Sequence, residues 1–393
     1  MADEIRRLRT GLGAALRRAV LRLEGGAERL WRPLSRKLGR EKPRSLAAYT
    51  GWATRETVVC GARVLASHPV AHPSDDVGWW RNIRDSFRRW ESDEVPGVAV
   101  TAELAAVRQT VISDAEGYLW FELPLASPLP GSYWQQVRFS VVGAADGDQP
   151  PPLKAICRVI NPGVEARFGI ISDLDDTVIR TGITSLLTAA RLTFLGNART
   201  RKPFDGVAAL YQTLHTGSAD PGAPPRNPLF YVSSSPWNLY DLLDHFLELN
   251  GIPRGPLLLQ DIGVDETKFI AAGHGHKLDK ARRILADYPN LPFVLFGDSG
   301  QHDAGLYAEL AEEQPERVKA IFIRDVDPAR AKLRDEKVAL QLRRAEAVGV
   351  PMWLVPDSLA AARHLVALGL LPAEALPRIE HDRNIDHWLK PQD

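Results

Sequence analysis

The chain has 393 residues, 45% hydrophobic and 25% charged, a globular mix that excludes a fibrous or wholly disordered protein and gives room for two to three domains. Lysine plus arginine (49) equals aspartate plus glutamate (49), which excludes a protein that coats nucleic acid through bulk positive charge. Cys60 and Cys157 are too few for a disulfide scaffold or a four-cysteine zinc site and fit a reducing, cytoplasmic setting, and no apolar run is long enough for a membrane-spanning helix.

In chain order, residues 1–45 carry thirteen Lys/Arg against five Asp/Glu, a local charge of +8. Ile5, Leu8, Leu12, Leu16, Val20 and Leu23 recur at steps of three or four, which predicts a basic amphipathic helix interrupted at Gly25-Gly26. Arg17 and Arg18 cut the apolar run a signal peptide would need. Such a helix lies on an anionic membrane, each basic residue near the bilayer contributing about 1 kcal/mol, or docks on its own protein; a nucleic-acid arm is the third reading.

Residues 46–165 change to short strands: Thr57–Leu65, Gly97–Leu104, Val107–Ile112, Tyr118–Leu123, Val137–Val142 and Leu153–Ile160, with a turn at Asp114-Ala115-Glu116-Gly117. This spacing predicts a small β-sandwich. Within it, Val77 to Trp90 mixes Trp79, Trp80, Phe87 and Trp90 with Arg81, Arg84, Arg88 and Arg89, a segment that covers a sheet or rests at a membrane interface.

From 166 to 371 apolar strands alternate with helices. Phe168–Ile171, Leu229–Val232, Pro256–Leu259, Pro292–Phe296, Ala320–Ile323 and Met352–Val355 read as buried strands, with helices such as Leu278–Asp287 and Asp303–Glu313 between them. The pattern predicts an α/β, doubly wound parallel sheet. Pro221–Pro228 reads as a surface loop, and 372–393 as a polar tail that wraps the surface.

The chemistry gathers where strands end. Ser172 leads into Asp173-Leu174-Asp175-Asp176-Thr177; in such sheets ligands bind beyond the carboxyl ends of strands, where one Asp can attack an electrophile or hold a cation and a second can move protons. The strand at Leu229 ends at Ser233, and Ser235-Pro236 looks like a helix cap and first helical position suited to a phosphoryl oxygen. Lys277 opens a helix after Gly273-His274-Gly275-His276, and Pro292–Phe296 runs into Gly297-Asp298-Ser299-Gly300-Gln301-His302-Asp303. Asp298 and Asp303 with the first pair make an oxygen-rich site that favours Mg²⁺. His274, His276 and His302 suggest zinc, but no Cys or fourth positioned ligand accompanies them, and ordinary hydrogen-bonding histidines are the plainer reading.

These motifs together resemble the haloacid-dehalogenase superfamily of phosphohydrolases. Ser172–Thr177, Tyr231-Val232-Ser233-Ser234-Ser235-Pro236-Trp237, His276-Lys277 and Gly297–Asp303 are similar, more closely, to the catalytic domain of actin-patch-type, Mg²⁺-dependent phosphatidate phosphatases and their bacterial relatives, over roughly 160 to 370. The resemblance implies a HAD-like Rossmannoid domain and hydrolysis of a lipid phosphomonoester. It makes Asp173 the nucleophile that becomes an aspartyl-phosphate and Asp175 the acid/base, with Thr177 orienting Asp175. Ser233 and Ser234 then face the phosphate, and Lys277 neutralises charge. Mg²⁺ is held by Asp173, the Asp175 carbonyl, Asp298 and Asp303, the last as ligand or support. Lys280 and Lys268 compete with Lys277 for its role, Asp176 caps or solvates, and Arg324 contacts substrate or forms a surface ion pair. The apolar, basic-edged stretch Thr181 to Arg201, with Lys202 beyond it, is either a lid suited to a phospholipid or a plain core helix. The expected partners are phosphatidate or another lipid phosphate and, through residues 1–45, the anionic inner face of a membrane. The alternatives are a phosphatase for a soluble or nucleic-acid phosphomonoester and a non-catalytic membrane adaptor.

Overall fold

The computed structural model describes residues 44–66, 95–142, 153–175, 177–179, 204–260, 275–300, 302–326 and 331–388. The expected amphipathic helix before residue 44, the aromatic insertion 77–90 and the lid 181–201 lie outside them, as do Asp176, Lys202, Lys268, His274 and Gln301.

Among the described residues thirteen strands form two sheets. The first comprises β1 (Arg44–Ala53), β2 (Thr57–Ala66), β3 (Ala99–Leu104), β4 (Val107–Ile112), β5 (Tyr118–Pro124), β6 (Trp134–Val141) and β7 (Lys154–Ile160), in the order β4-β3-β6-β7-β1-β2-β5. The expected sandwich is corrected in one respect: its two halves are one continuous hydrogen-bonded sheet. A short parallel pairing of β1 with β7, Gly51 opposite Val159 and Trp52 opposite Ile160, joins them. The sheet curls so that Val100 and Ala102 of β3, Phe121 of β5 and Phe139 of β6 share a core, the two phenyl rings stacked at 5.1 Å. β5 is buried at alternate positions, as a half-covered strand should be. The turn before it is an Asx turn: Asp114 Oδ1 accepts the Glu116 and Tyr118 amides at 2.9 and 2.8 Å, and Gly117 takes the φ of +80° that closes it.

The second sheet contains β8 (Gly169–Asp173), β9 (Leu229–Pro236), β10 (Leu257–Gln260), β11 (Phe293–Asp298), β12 (Val318–Arg324) and β13 (Met352–Val355), all parallel, in the order β10-β9-β8-β11-β12-β13. Its strands are continuous apolar runs because both faces are covered. Ile170 and Tyr231 point to one face, packed by α1 (Val207–Thr216), α2 (Tyr240–Leu249), α6 (Ser358–Ala367) and α7 (Leu376–Trp388). Ile171 and Phe230 point to the other, packed by α3 (Gly275–Asp287), α4 (Asp303–Glu313) and α5 (Ala331–Ala347). This is the doubly wound α/β architecture read from the sequence. The order reverses between β8 and β11, the place where open α/β sheets bind ligands.

Two expectations at the chain's later elements change. β9 runs on to Pro236, so Ser235-Pro236 is not a helix start; a single 3-10 turn, Trp237–Leu239, precedes α2. The polar tail is a docked helix: α7 lies on α1 and α6 rather than trailing over the surface. Among the described residues no helix is long and apolar enough to cross a membrane.

Candidate active site

β8 and β11 each end in an aspartate, Asp173 and Asp298, at the point where the strand order reverses. Phe296 pairs with Ser172, so the two carboxylates emerge side by side at the carboxyl edge. Asp303 joins them from the first turn of α4. Gly297 allows its approach: a Cβ there would sit 2.7 Å from the Asp303 Cβ and 2.9 Å from the Tyr307 ring. Oxygens of Asp173, Asp298 and Asp303 lie within 4.8 Å of one another, and all three residues are buried.

Lys277, at the start of α3, reaches this cluster. Its Nζ donates to Asp173 Oδ1 at 2.6 Å and to Asp303 Oδ1 at 2.8 Å. Burial pulls the ammonium pKa down, but pairing with Asp173 and Asp303 outweighs it and holds the pKa above the ordinary lysine value. Burial pushes the Asp173 carboxyl up, and the Asp303 charge adds to this against the opposing pull of Lys277. The competing Lys280 instead donates to the carbonyls of Leu258 and Leu259, at 3.1 and 2.7 Å. Asp298 Oδ1 accepts the Gly300 amide at 2.6 Å, and Asp303 Oδ2 accepts the Asp298 amide at 3.3 Å.

Asp175 is arranged differently from the expectation. Its Oδ2 accepts from Ser233 Oγ at 2.6 Å and from Ser235 Oγ at 3.1 Å, while the Ser235 amide donates to Ser233 Oγ at 2.8 Å. Ser233, expected to face phosphate, thus holds a carboxylate in this structure. Ser234 is half-buried between the two. Thr177 Oγ1 donates to Asp173 Oδ2 at 3.3 Å, so it orients the first aspartate rather than the second. Ser235 is the residue sequence reasoning misplaced. The signal was the two-residue spacing, which in an extended strand puts Ser233 and Ser235 on one face. Arg324 ends β12 beside Asp298 in the ladder, with its guanidinium over the Phe204 ring at 3.6 Å, and it is 8% exposed.

The donor set fits a hard divalent cation such as Mg²⁺. Three buried carboxylates converge against the Lys277 ammonium, leaving an excess of negative charge that low-dielectric surroundings make costly. Among the described residues this cluster is all oxygen, and His276 and His302 are not in it.

The family resemblance read from the motifs is borne out. Residues 168–325 match the family model of the phosphatidate phosphatase APP1 catalytic domain. Phosphatidate phosphatase APP1 of Saccharomyces cerevisiae is 35% identical over 160 residues, 40% of this chain and 26% of that protein. An uncharacterized protein of Schizosaccharomyces pombe is 28% identical over 160 residues, 40% of this chain and 25% of its own length. The match therefore spans about a quarter of these curated relatives. Among solved structures, PilB minor pilin from Streptococcus sanguinis covers 75% of this chain and 89% of its own, at 9% identity and a TM-score of 0.25, too low to support any structural argument.

Proposed function

We propose that the protein is a Mg²⁺-dependent hydrolase that removes phosphate from a lipid phosphomonoester, phosphatidate being the favoured substrate. One observation carries the reading: Lys277 bridges Asp173 and Asp303 beside Asp298, within the segment that matches a phosphatidate phosphatase catalytic domain. Asp173 attacks phosphorus in line; its Oδ–P bond forms as the bond to the substrate alkoxide breaks, giving an aspartyl-phosphate. Asp175 gives its proton to the leaving alkoxide. It then takes a proton from the water that hydrolyses the acyl phosphate and returns Asp173. Ser233 and Ser235 hold the Asp175 carboxylate, and Ser233 and Ser234 meet the phosphoryl oxygens when substrate enters. Lys277 offsets the charge that develops between nucleophile and phosphoryl group. Mg²⁺, held by Asp173, the Asp175 carbonyl, Asp298 and Asp303, would supply charge neutralisation on the phosphoryl oxygens. Residues 1–45, with their +8 charge, would bring the enzyme to the anionic cytoplasmic face of a membrane.

The test is phosphate release from phosphatidate and from soluble monoesters, with Mg²⁺ and with a chelator. Release from phosphatidate is expected with Mg²⁺, abolished by chelation and reduced at least about 10³-fold by Asp173→Asn. Release from soluble esters alone would move the reading to its soluble-substrate alternative. An Asp173→Asn protein as active as wild type would leave the adaptor.

A further inference from the structure

Between the two sheets the described residues line a half-open cavity of about 480 Å³, within the size range of small-molecule sites. Tyr49, Trp52 and Trp120 come from the curled sheet, Trp237 from the turn after β9, and Leu258 and Lys280 from β10 and α3. The aromatic wall is fixed in place. Trp237 lies 4.8 Å from Tyr49 and 5.1 Å from Trp120, ring centre to ring centre. Trp120 lies across from Gly61, its partner in the β2–β5 ladder, where a Cβ would come within 2.6 Å of the indole. The ring is thus held over the glycine, yet Trp120 remains 46% exposed, a large apolar surface left facing the opening.

The elements that build the catalytic centre also build this cavity. β9 carries Ser233 and Ser235 to Asp175 and, two residues later, delivers Trp237. α3 places Lys277 on Asp173 and, one turn on, Lys280 in the cavity wall. β10 is two strands from β8, roughly 10 Å at ordinary strand spacing. A chain attached to a phosphate at Asp173 has to cross those two strand spacings to reach it. The aromatic and leucine part of the wall suits a hydrocarbon chain, while Thr50, Gln260, His276 and Lys280 in the same lining suit the ester oxygens that join such a chain to its phosphate.

We infer that this inter-sheet cavity is the acyl-chain subsite of the phosphatase centre, receiving one fatty acyl chain of a lipid phosphomonoester whose phosphate sits at Asp173. The inference rests on the lipid-phosphatase reading above and adds that the curled sheet, through Trp120, sets the substrate class.

The test measures phosphate release from monomeric dihexanoyl phosphatidate, dibutanoyl phosphatidate and glycerol 3-phosphate. In the wild type, KM falls by about threefold to fourfold per methylene added to the engaged chain. Trp120→Ala raises KM for dihexanoyl phosphatidate about tenfold, leaves its kcat and the turnover of glycerol 3-phosphate within twofold, and Trp120→Phe restores most of the loss. Equal KM values for wild type and Trp120→Ala, or a flat chain-length series in the wild type, would overturn the subsite and leave the lipid phosphatase standing. A wild type that releases phosphate from glycerol 3-phosphate but from neither phosphatidate would overturn the lipid reading itself, and the subsite with it. Should Trp120→Ala fail to fold, the wild-type series decides alone.

Discussion

Gly297 sets where Asp303 stands, because the helix that carries Asp303 approaches β11 over the glycine's missing side chain. Gly297→Ala must displace Asp303 or the Tyr307 ring, and a shift near 1 Å in a site that works by positioning costs about 10²-fold in kcat. The expected outcome is that loss with about 1–3 kcal/mol of stability, measured by steady-state kinetics and urea unfolding. Lys277 offers a second test. Lys277→Met leaves the Asp173 and Asp303 carboxylates facing each other without the ammonium that joins them. Breaking one partner of a buried pair costs about 3–5 kcal/mol, and unfolding in chelator at pH 7 should show it. The deficit should shrink as the pH falls, since protonating Asp173 removes one of the repelling charges. Activity should fall at least about 10²-fold at any pH.

At the scale of elements, α1 depends on a helix far along the chain. Its N-terminal Gly206 lacks a capping side chain, and α7 supplies two: Asp386 Oδ2 accepts the Gly206 amide at 2.9 Å and Asp382 Oδ2 the Ala209 amide at 3.0 Å. Both acids also face the positive end of the α1 dipole. Replacing both with alanine should cost about 2 kcal/mol in chemical denaturation, one cap each. At its other end α1 carries His215, buried, with Nδ1 2.8 Å from the Asn227 carbonyl. Burial lowers its pKa to about 4, so the folded state keeps it neutral. Its stabilisation is present above the unfolded value near 6.5 and is lost as the pH falls toward 4, about 3 kcal/mol in all. His215→Gln should flatten that stretch of the stability–pH curve; an unchanged slope would assign the acid sensitivity elsewhere. These elements also mark what the sequence makes legible. The strands of the parallel sheet are readable because each is a short apolar run buried on both faces, and Asp173 and Asp298 because they end such runs. β1 is harder: Leu46-Ala47-Ala48 and Gly51 lack strand-forming bias, and its extension depends on β2 and β7 beside it. α7 is hidden because its contact with α1 is made partly by Asp382 and Asp386 rather than by an apolar stripe. Ser235-Pro236 carries the local signature of a helix start, and the bond to Asp175, invisible locally, keeps it extended.

For the molecule as a whole, β1 contributes one aromatic residue to each face of the parallel sheet. Tyr49 packs with Trp237 and Tyr240 on one face, 4.8 and 4.5 Å between ring centres. Trp52 packs edge-on to Phe230 at 6.1 Å in the other cluster, and its Nε1 donates to Asp287 Oδ2 at 2.8 Å. Arg63 of β2 adds a polar tie, donating to Asn238 Oδ1 at 2.6 Å while its guanidinium lies over Tyr118 at 4.3 Å. A separable module would meet its neighbour through a polar, wet surface; here the curled sheet completes both cores of the parallel one. The two should therefore unfold as a single calorimetric unit, with the measured enthalpy matching the van't Hoff value. Trp52→Ala alone should cost about 3–5 kcal/mol, as for other large aromatic truncations in a core. Combined with Tyr49→Ala, it removes the anchor on each face, and the transition should divide in two, the earlier step accompanied by loss of the phosphate release proposed above. Two transitions already present in the wild type would mean that β1 rests on the catalytic sheet without being part of its core.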